Sequence, residues 1–151
     1  MFVTEHNVTL ASTGNTTMYA DGVWVGSHDD VENTTVIPIP GYTRILALTV
    51  TDSSDVTAFI ASISNTLVTD TSWKCRSITT AHSVDAADWL RESYDDSHWS
   101  DAISMGFNGD AMFGEFLELT SRAQWIGLTT NDTLQCRKYI CKRLCLFAKF
   151  S

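Results

Sequence analysis

The residues best suited to bind a ligand form one short polar run. His28, Asp29 and Asp30 are consecutive, and Glu32 follows them closely. Their side chains could hydrogen-bond the hydroxyl groups of a sugar, and clustered carboxylates are ligands that Ca²⁺ prefers. Aspartate is also a common turn residue, so the same run could be a solvated turn. We treat these four residues as the candidate ligand-binding set, with Ca²⁺ as a candidate ion.

Other patterns that would indicate chemistry are weak. Asp95 and Asp96 are adjacent in the sequence, and adjacent carboxylates on one turn rarely flank both sides of a glycosidic bond as a glycosidase requires. Capping of a helical turn accounts for both residues. The four histidines have no metal-ligand spacing relative to the cysteines, and the motifs of serine hydrolases, zinc proteases and P-loop NTPases do not occur. We predict that the protein is not an enzyme.

The charge distribution argues against one class of partner. All 18 acidic residues but only five of the ten basic residues precede Cys136, which leaves that part of the chain with a net charge of −13. The other five bases follow Cys136, where no acid occurs. An acidic body repels phosphate backbones, so we predict that nucleic acid is not a partner.

Asparagine usage favours a secreted protein. Four of the six asparagines begin an Asn-x-Thr acceptor site for N-glycosylation. Since Ser and Thr fill 35 of 151 positions, chance would give only about one or two such sites. The four cysteines fit an oxidising compartment and allow three pairings. We predict an extracellular glycoprotein with acceptors at Asn7, Asn15, Asn33 and Asn131.

Targeting segments are not visible in the sequence. It begins with Met1-Phe2-Val3-Thr4 and becomes polar at once, and no apolar run approaches the roughly 20 residues that span a bilayer. We therefore expect a mature domain or a fragment of a longer protein, without a transmembrane segment.

Short strands separated by turn residues dominate the first half of the chain, a pattern typical of an all-β sandwich or barrel. Asp21-Gly22 joins two apolar runs and predicts a tight hairpin, because glycine adopts positive φ at little cost. Pro38-Ile39-Pro40-Gly41 predicts a turn, because a central strand needs the N–H groups that proline lacks. Strands are predicted at 7–10, 17–20, 23–25, 34–37, 44–50 and 57–63.

The second half is less regular. Residues 85–101 combine acids with two tryptophans and predict loops with short helical turns. Residues 104–114 contain three glycines and predict a long loop. Further strands are predicted at 115–120, 123–128 and 134–139. With 151 residues and 44% hydrophobic content, the chain is expected to form one domain.

Four sequence segments, in this order, carry a resemblance to a known family. They are 18–27 (MYADGVWVGS), 68–75 (VTDTSWKC), Trp89 with 94–102 (YDDSHWSDA), and 123–127 (AQWIG) with 135–137 (QCR). The sequence resembles the galactose-binding-like jelly-roll modules of animal extracellular and matrix proteins, which also occur beside glycosidase domains. The resemblance implies a single jelly-roll β-sandwich over residues 1–137 and a disulfide between Cys75 and Cys136.

The chain departs from the family pattern at three places. His28-Asp29-Asp30-Val31 occupies a position where an aromatic residue is common. Gly127 occupies the position of a second expected Trp. The chain also continues with a basic extension, 138–151, that contains Cys141 and Cys145.

The five tryptophans all lie in the segments that carry the resemblance. A pyranose ring packs well against an indole, but large aromatic side chains dominate burial in protein cores. We therefore predict that the tryptophans are core residues and that loops at one end of the sandwich hold any sugar. The five are Trp24, Trp73, Trp89, Trp99 and Trp125.

The extension 138–151 mixes basic and apolar residues. Such a segment could lie on an anionic membrane. It could also dock on the acidic body of a second copy, with Cys141 or Cys145 forming an intermolecular disulfide. The alternative that we favour is a last strand held by a local disulfide between these two cysteines.

The resemblance implies an extracellular, lectin-like carbohydrate-binding or adhesion module whose partner is a glycan or a glycoprotein. A second hypothesis is a structural building block of a secreted matrix or filament, which forms homo-oligomers through its surface and its cysteine-containing extension. A third hypothesis is a non-catalytic accessory domain of a larger, glycosidase-like protein.

Overall fold

The computed structural model describes residues 5–51, 56–64, 66–78, 88–110, 113–128 and 132–141. These residues form two antiparallel sheets and one short 3-10 helix, Asp88–Leu90. The expected all-β sandwich is therefore confirmed. The strands are β1 (Glu5–Ser12), β2 (Asn15–Ala20), β3 (Val23–His28), β4 (Thr35–Pro40), β5 (Ile45–Thr51), β6 (Ala58–Ile63), β7 (Leu67–Val68), β8 (Lys74–Ile78), β9 (Ser100–Asp101), β10 (Ile103–Phe107), β11 (Gln124–Gly127) and β12 (Thr133–Tyr139).

The chain passes repeatedly between the two sheets. The first sheet has the strand order β10-β11-β6-β1-β4, with β7 beside β6, and the second has the order β3-β2-β5-β12-β8-β9. Such crossing between two packed sheets is characteristic of jelly rolls. The inner faces share one core, to which the first sheet contributes Leu10 and Phe59 and the second contributes Met18 and Leu48.

Loops cover much of the outer faces of both sheets. All six residues of β6 are buried, because residues 113–123 lie over the outer face of the first sheet. There Phe113 stacks on Trp125 with ring centroids 4.3 Å apart. On the second sheet, Trp89, Leu90 and Trp99 pack over β5. The edge of the second sheet at β3 has no such cover among the described residues.

The predicted hairpin at Asp21-Gly22 is present. Both residues have positive φ, +49° and +85°, which is the two-residue turn that matches strand twist. The Asp21 carboxylate also accepts hydrogen bonds from the backbone N–H groups of Arg44 (3.0 Å) and Ile45 (2.9 Å). The side chain of Asp21 thereby ties the hairpin to the start of β5.

The prediction of a turn at 38–41 is wrong for its first three residues. Pro38, Ile39 and Pro40 belong to β4, and the turn begins at Gly41. β4 is an edge strand, where proline is tolerated. Because residues two apart direct their backbone nitrogens to the same side, both prolines can face the open edge.

Two further predictions for the second half are wrong. Within the predicted loop 104–114, residues up to Phe107 form β10, which pairs with β11 around an irregularity between Ser104 and Phe107. The predicted strand 115–120 is a loop instead. The side chain of Asn108 donates hydrogen bonds to the carbonyls of Phe116 and Leu119, both at 2.9 Å, and accepts one from Phe116 N–H. One amide therefore satisfies backbone groups that a neighbouring strand would otherwise satisfy.

Gly127 has a steric reason to lack a side chain. It pairs with Ala58 of β6, and a Cβ atom at this position would lie 2.4 Å from the backbone oxygen of Thr57. This distance is far below van der Waals contact. The close approach of β11 to Thr57, next to β6, therefore leaves no room for a side chain at this position.

A disulfide joins Cys75 of β8 to Cys136 of β12, the pair that the resemblance implied. β12 continues to Tyr139, two residues beyond the expected domain boundary at Arg137. Ile140 then packs into the core. Cys141 is buried and disulfide-bonded, whereas Cys145 and the rest of 142–151 lie outside the described residues.

Candidate functional site

The predicted ligand-binding run does not present its histidine to solvent. His28 ends β3 with its side chain buried, and its Nδ1 lies 2.6 Å from the Thr35 hydroxyl. Its other ring nitrogen, Nε2, is buried and has no hydrogen-bond partner among the described residues. His28 therefore belongs to the interior of the sandwich and not to an open sugar site.

The acidic residues of the same run are exposed and form a turn. Asp30 accepts hydrogen bonds from Glu32 N–H (3.0 Å) and from the Asn33 amide (2.8 Å). These hydrogen bonds lower the pKa of Asp30, and the largest effect comes from the Asn33 side chain. Both oxygens of Asp30 are thus engaged in shaping the β3–β4 connection. Across the described ranges, no three His, Cys, Asp or Glu residues come together as ligands for a metal ion.

We expect the fold to lose stability below about pH 6.5. Burial lowers the pKa of His28, although Asp30 and Asp29 partly oppose this effect, and burial also lowers the pKa of His6. The unfolded chain therefore binds protons at a pH where the folded protein does not, so protonation favours unfolding. Each histidine contributes at most about 1.4 kcal/mol per pH unit.

Urea unfolding between pH 7.5 and 5.5 measures this dependence. His28→Gln is expected to reduce the slope of unfolding free energy against pH. His6→Gln is expected to reduce the slope in the same way, because burial also lowers the pKa of His6. A pH-independent wild-type stability over this range would contradict the assignment of buried neutral histidines.

Four of the five tryptophans are core residues as predicted, and Trp24 is not. Trp73, Trp89, Trp99 and Trp125 are buried, whereas 58% of Trp24 is exposed. Its neighbour Val23 is 65% exposed. The prediction that Trp24 contributes to the core is therefore wrong, and the reason lies in the register of β3.

A β-bulge turns Trp24 outward. Gly26 pairs with Met18, but Trp24 pairs with Tyr19, so Val25 is an extra residue on β3. Strict alternation from the buried His28 through Gly26 would place residue 24 on the inner face. The extra residue reverses this orientation, as bulges do. A glycine inside a strand is a sequence signal for a bulge, and Gly26 could have indicated it.

Trp24 borders a row of hydroxyl groups on the outer face of the second sheet. Tyr19 lies beside Trp24 on β2 and also contacts the aromatic residues that cover β5. In the next outward row, Thr17 pairs with Ser27 on one side and with Thr49 on the other. Neighbouring strands lie about 4.8 Å apart, which is comparable to the length of a sugar ring. We call Trp24, Tyr19, Ser27, Thr17 and Thr49 the Trp24 surface.

The hydroxyl row continues into a group of polar side chains. Gln135 pairs with Thr49, and its Oε1 accepts a hydrogen bond from Arg76 Nε at 2.8 Å. The Arg76 guanidinium lies 4.4 Å from the centroid of Trp99, and it also donates to the Tyr94 hydroxyl (3.4 Å). The Trp24 surface therefore ends at fixed hydrogen-bonding groups on the side opposite to Trp24.

A buried arginine holds the loop that borders this surface. Arg137 is 1% exposed and donates hydrogen bonds to the carbonyls of Arg91 (2.6 Å) and Tyr94 (3.1 Å). It also forms an ion pair with Asp96 at 3.2 Å. Burial lowers the pKa of Arg137, and the charge of Asp96 opposes this effect. The chain from Arg91 to Asp96 is thus fixed against β12.

The adjacent carboxylates of Asp95 and Asp96 have separate structural partners. Asp95 accepts a hydrogen bond from Ser97 N–H at 2.9 Å, and hydrogen bonds from Ser97 lower the pKa of Asp95. Asp96 pairs with Arg137. Asp95 thus stabilises a turn at Ser97 and His98 that is not helical, so the expected capping of a helical turn is wrong here, while Asp96 balances a buried charge.

Comparisons with known proteins identify a similar fold but no family to which the chain belongs. No family model matches the sequence, and no curated protein matches it. Among solved structures, the apo form of the Pleurotus ostreatus lectin is similar, with a TM-score of 0.56 and 19% sequence identity. The match covers 74% of this chain and 35% of the lectin chain. The chain shares its β-sandwich fold with that lectin. The resemblance to galactose-binding-like modules stays a prediction.

Three of the four predicted glycosylation acceptors are accessible. Asn7, Asn15 and Asn33 are exposed, and the amide of Asn33 donates to Asp30. Asn131 lies outside the described residues. No helix in the described part of the chain is long and apolar enough to cross a bilayer.

Proposed function

We propose that this protein is an extracellular, non-catalytic carbohydrate-binding module that binds glycans on the Trp24 surface. The observation that carries the proposal is the exposed indole of Trp24, which a bulge turns outward beside a row of hydroxyl groups. An indole face packs against the C–H groups of a pyranose. Hydroxyl side chains can donate and accept hydrogen bonds with the sugar hydroxyls next to it.

Two further observations support the proposal. The similar solved structure is itself named a lectin. In addition, loops cover Trp89, Trp99 and Trp125 on the outer faces, whereas 58% of Trp24 is exposed. Pockets for small ligands combine apolar surface with a few placed polar groups, and the Trp24 surface has this composition.

A glycan-array screen of the glycosylated, oxidised protein tests the proposal. Wild type is expected to bind a defined subset of glycans, and Trp24→Ala is expected to weaken that binding at least tenfold, which corresponds to about 1.4 kcal/mol. Trp24→Phe keeps an aromatic face and should retain most of the affinity. Leu117→Ala removes another exposed apolar side chain, 86% exposed, and should have no effect.

The alternative location in the β3–β4 turn is tested in the same screen. Asp29→Asn combined with Asp30→Asn removes two exposed carboxylates and leaves Trp24 unchanged. We expect this variant to bind glycans like wild type. Loss of binding in this variant, with normal binding by Trp24→Ala, would move the site to the turn. Absence of binding to any glycan would refute the proposal.

A structural role through self-association is the second candidate. β3 is an edge strand with two exposed apolar residues, Val23 and Trp24, and exposed edges can pair with another copy. Sedimentation velocity separates the two candidates. A concentration-dependent dimer that Trp24→Ala abolishes would favour assembly, whereas a monomer that binds glycans favours the carbohydrate-binding function.

A further inference from the structure

Both sheets contribute to a polar cavity of about 330 Å³ whose lining does not include Trp24. β7 of the first sheet forms part of its wall, and Lys138 of β12 comes from the second sheet. Asp70 and Ser72 enter from the turn before β8, and Arg122 enters from the turn before β11. With Thr66, five charged or hydroxyl side chains thus line one cavity.

Hydrogen bonds fix three of these groups. Lys138 Nζ donates to Ser72 Oγ at 2.6 Å. Ser72 in turn donates to Asp70 Oδ1 through its hydroxyl, and through its backbone N–H at 2.9 Å. The second carboxylate oxygen of Asp70 has no hydrogen-bond donor among the described residues. The cavity therefore presents one ordered ammonium group and one ordered acceptor.

The cavity has an excess of positive charge in an acidic protein. Neither Lys138 nor Arg122 forms a salt bridge with any described residue, while a single carboxylate, Asp70, lines the cavity. Two cations against one anion leave a net charge of +1 in a chain whose net charge is −8. Guanidinium and ammonium groups form strong charge-assisted hydrogen bonds with carboxylates.

The combination of charges selects a ligand class. A carboxylate would bind between Arg122 and Lys138, but a simple anion would leave the second carboxylate oxygen of Asp70 without a donor and would be repelled by its charge. A ligand that also has hydroxyl groups can donate one to Asp70. The volume lies at the lower end of the range for small-molecule pockets, which suits one sugar ring. We propose that this cavity binds a uronic acid, the carboxylate-bearing form of a hexose.

The proposal does not depend on the Trp24 surface, and calorimetric titration tests it separately. Methyl glucuronide and methyl galacturonide are the probes, and methyl glucoside and methyl galactoside are their neutral counterparts. At least one uronide is expected to bind, and its neutral counterpart is expected to bind at least tenfold more weakly. Acetate and sulfate are expected to bind more weakly than the uronide, because neither can donate a hydroxyl to Asp70.

Variants assign the binding to the cavity. Arg122→Gln and Lys138→Gln are each expected to reduce uronide affinity about tenfold. Arg44→Gln, which removes an exposed guanidinium at another site, and Trp24→Ala are expected to leave it unchanged. Arg122 is exposed, so its replacement tests the proposal even if Lys138→Gln fails to fold. Binding of neither uronide, equal binding of the neutral sugars, or equally tight binding of acetate would overturn the proposal.

Discussion

Replacement of both Cys75 and Cys136 by alanine is expected to lower the free energy of unfolding by about 4 kcal/mol. The disulfide closes a loop with a sequence separation of 61, and the loss of chain entropy that it imposes on the unfolded state gives this magnitude. The bond also joins β8 to β12 in the second sheet. Its loss therefore weakens the support for the residues next to Arg137.

Urea unfolding of the double variant under non-reducing conditions measures this effect. These conditions preserve the disulfide of Cys141, so the result reports on the Cys75–Cys136 bond alone. Wild type in reducing buffer loses both disulfides, and it should be at least as unstable as the double variant. A decrease of less than about 1 kcal/mol would show that β8 and β12 are held together without the bond.

Arg137→Met is expected to lower the free energy of unfolding by about 3 kcal/mol. The variant keeps the length of the side chain but removes the donors to the carbonyls of Arg91 and Tyr94. The Tyr94 carbonyl loses a part-buried hydrogen bond, and an acceptor left without a partner costs about 1–3 kcal/mol, whereas the Arg91 carbonyl still accepts from Tyr94 N–H at 3.2 Å. Removal of the guanidinium also leaves Asp96 without its ion pair.

The control for this variant is Arg91→Met, which removes an exposed guanidinium from the same loop. It is expected to change stability by less than about 0.5 kcal/mol. Asp96→Asn is expected to cost less than Arg137→Met, because Asp96 is partly exposed and solvent screens its charge. Equal stabilities of Arg137→Met and Arg91→Met would show that the buried arginine does not hold the loop.

Local patterns predicted strands such as β1 and β2 well because burial alternates along them, whereas all six residues of β6 are buried. In β1, His6, Val8 and Leu10 are buried and Glu5 and Asn7 are exposed, which is the period-two pattern that a sequence displays directly. The Asp21-Gly22 hairpin was likewise predicted from adjacent residues. By contrast, the loop at 115–120 depends on the side chain of Asn108. A contact between distant residues of this kind leaves no periodic signal in the residues that it shapes.

The candidate binding surfaces were harder to predict than the strands. Trp24 was singled out as an aromatic residue, but its orientation depends on one extra residue, Val25, within β3. A one-residue shift moves a side chain to the opposite face of a sheet. The cavity at Lys138 depends on topology, since Ser72 and Lys138 meet although 66 positions separate them. Neither arrangement follows from spacing along the chain.

The most direct test of the central claim is a titration of the isotope-labelled protein with its best array glycan that lacks uronic acid, in which the indole N–H resonances of the five tryptophans are monitored. Trp24 is exposed and the other four are buried, so these signals report on binding at separate positions. Glycan binding at the Trp24 surface predicts a saturable shift of the Trp24 signal, with the other four nearly unchanged. Saturable binding with an unchanged Trp24 signal would contradict the account.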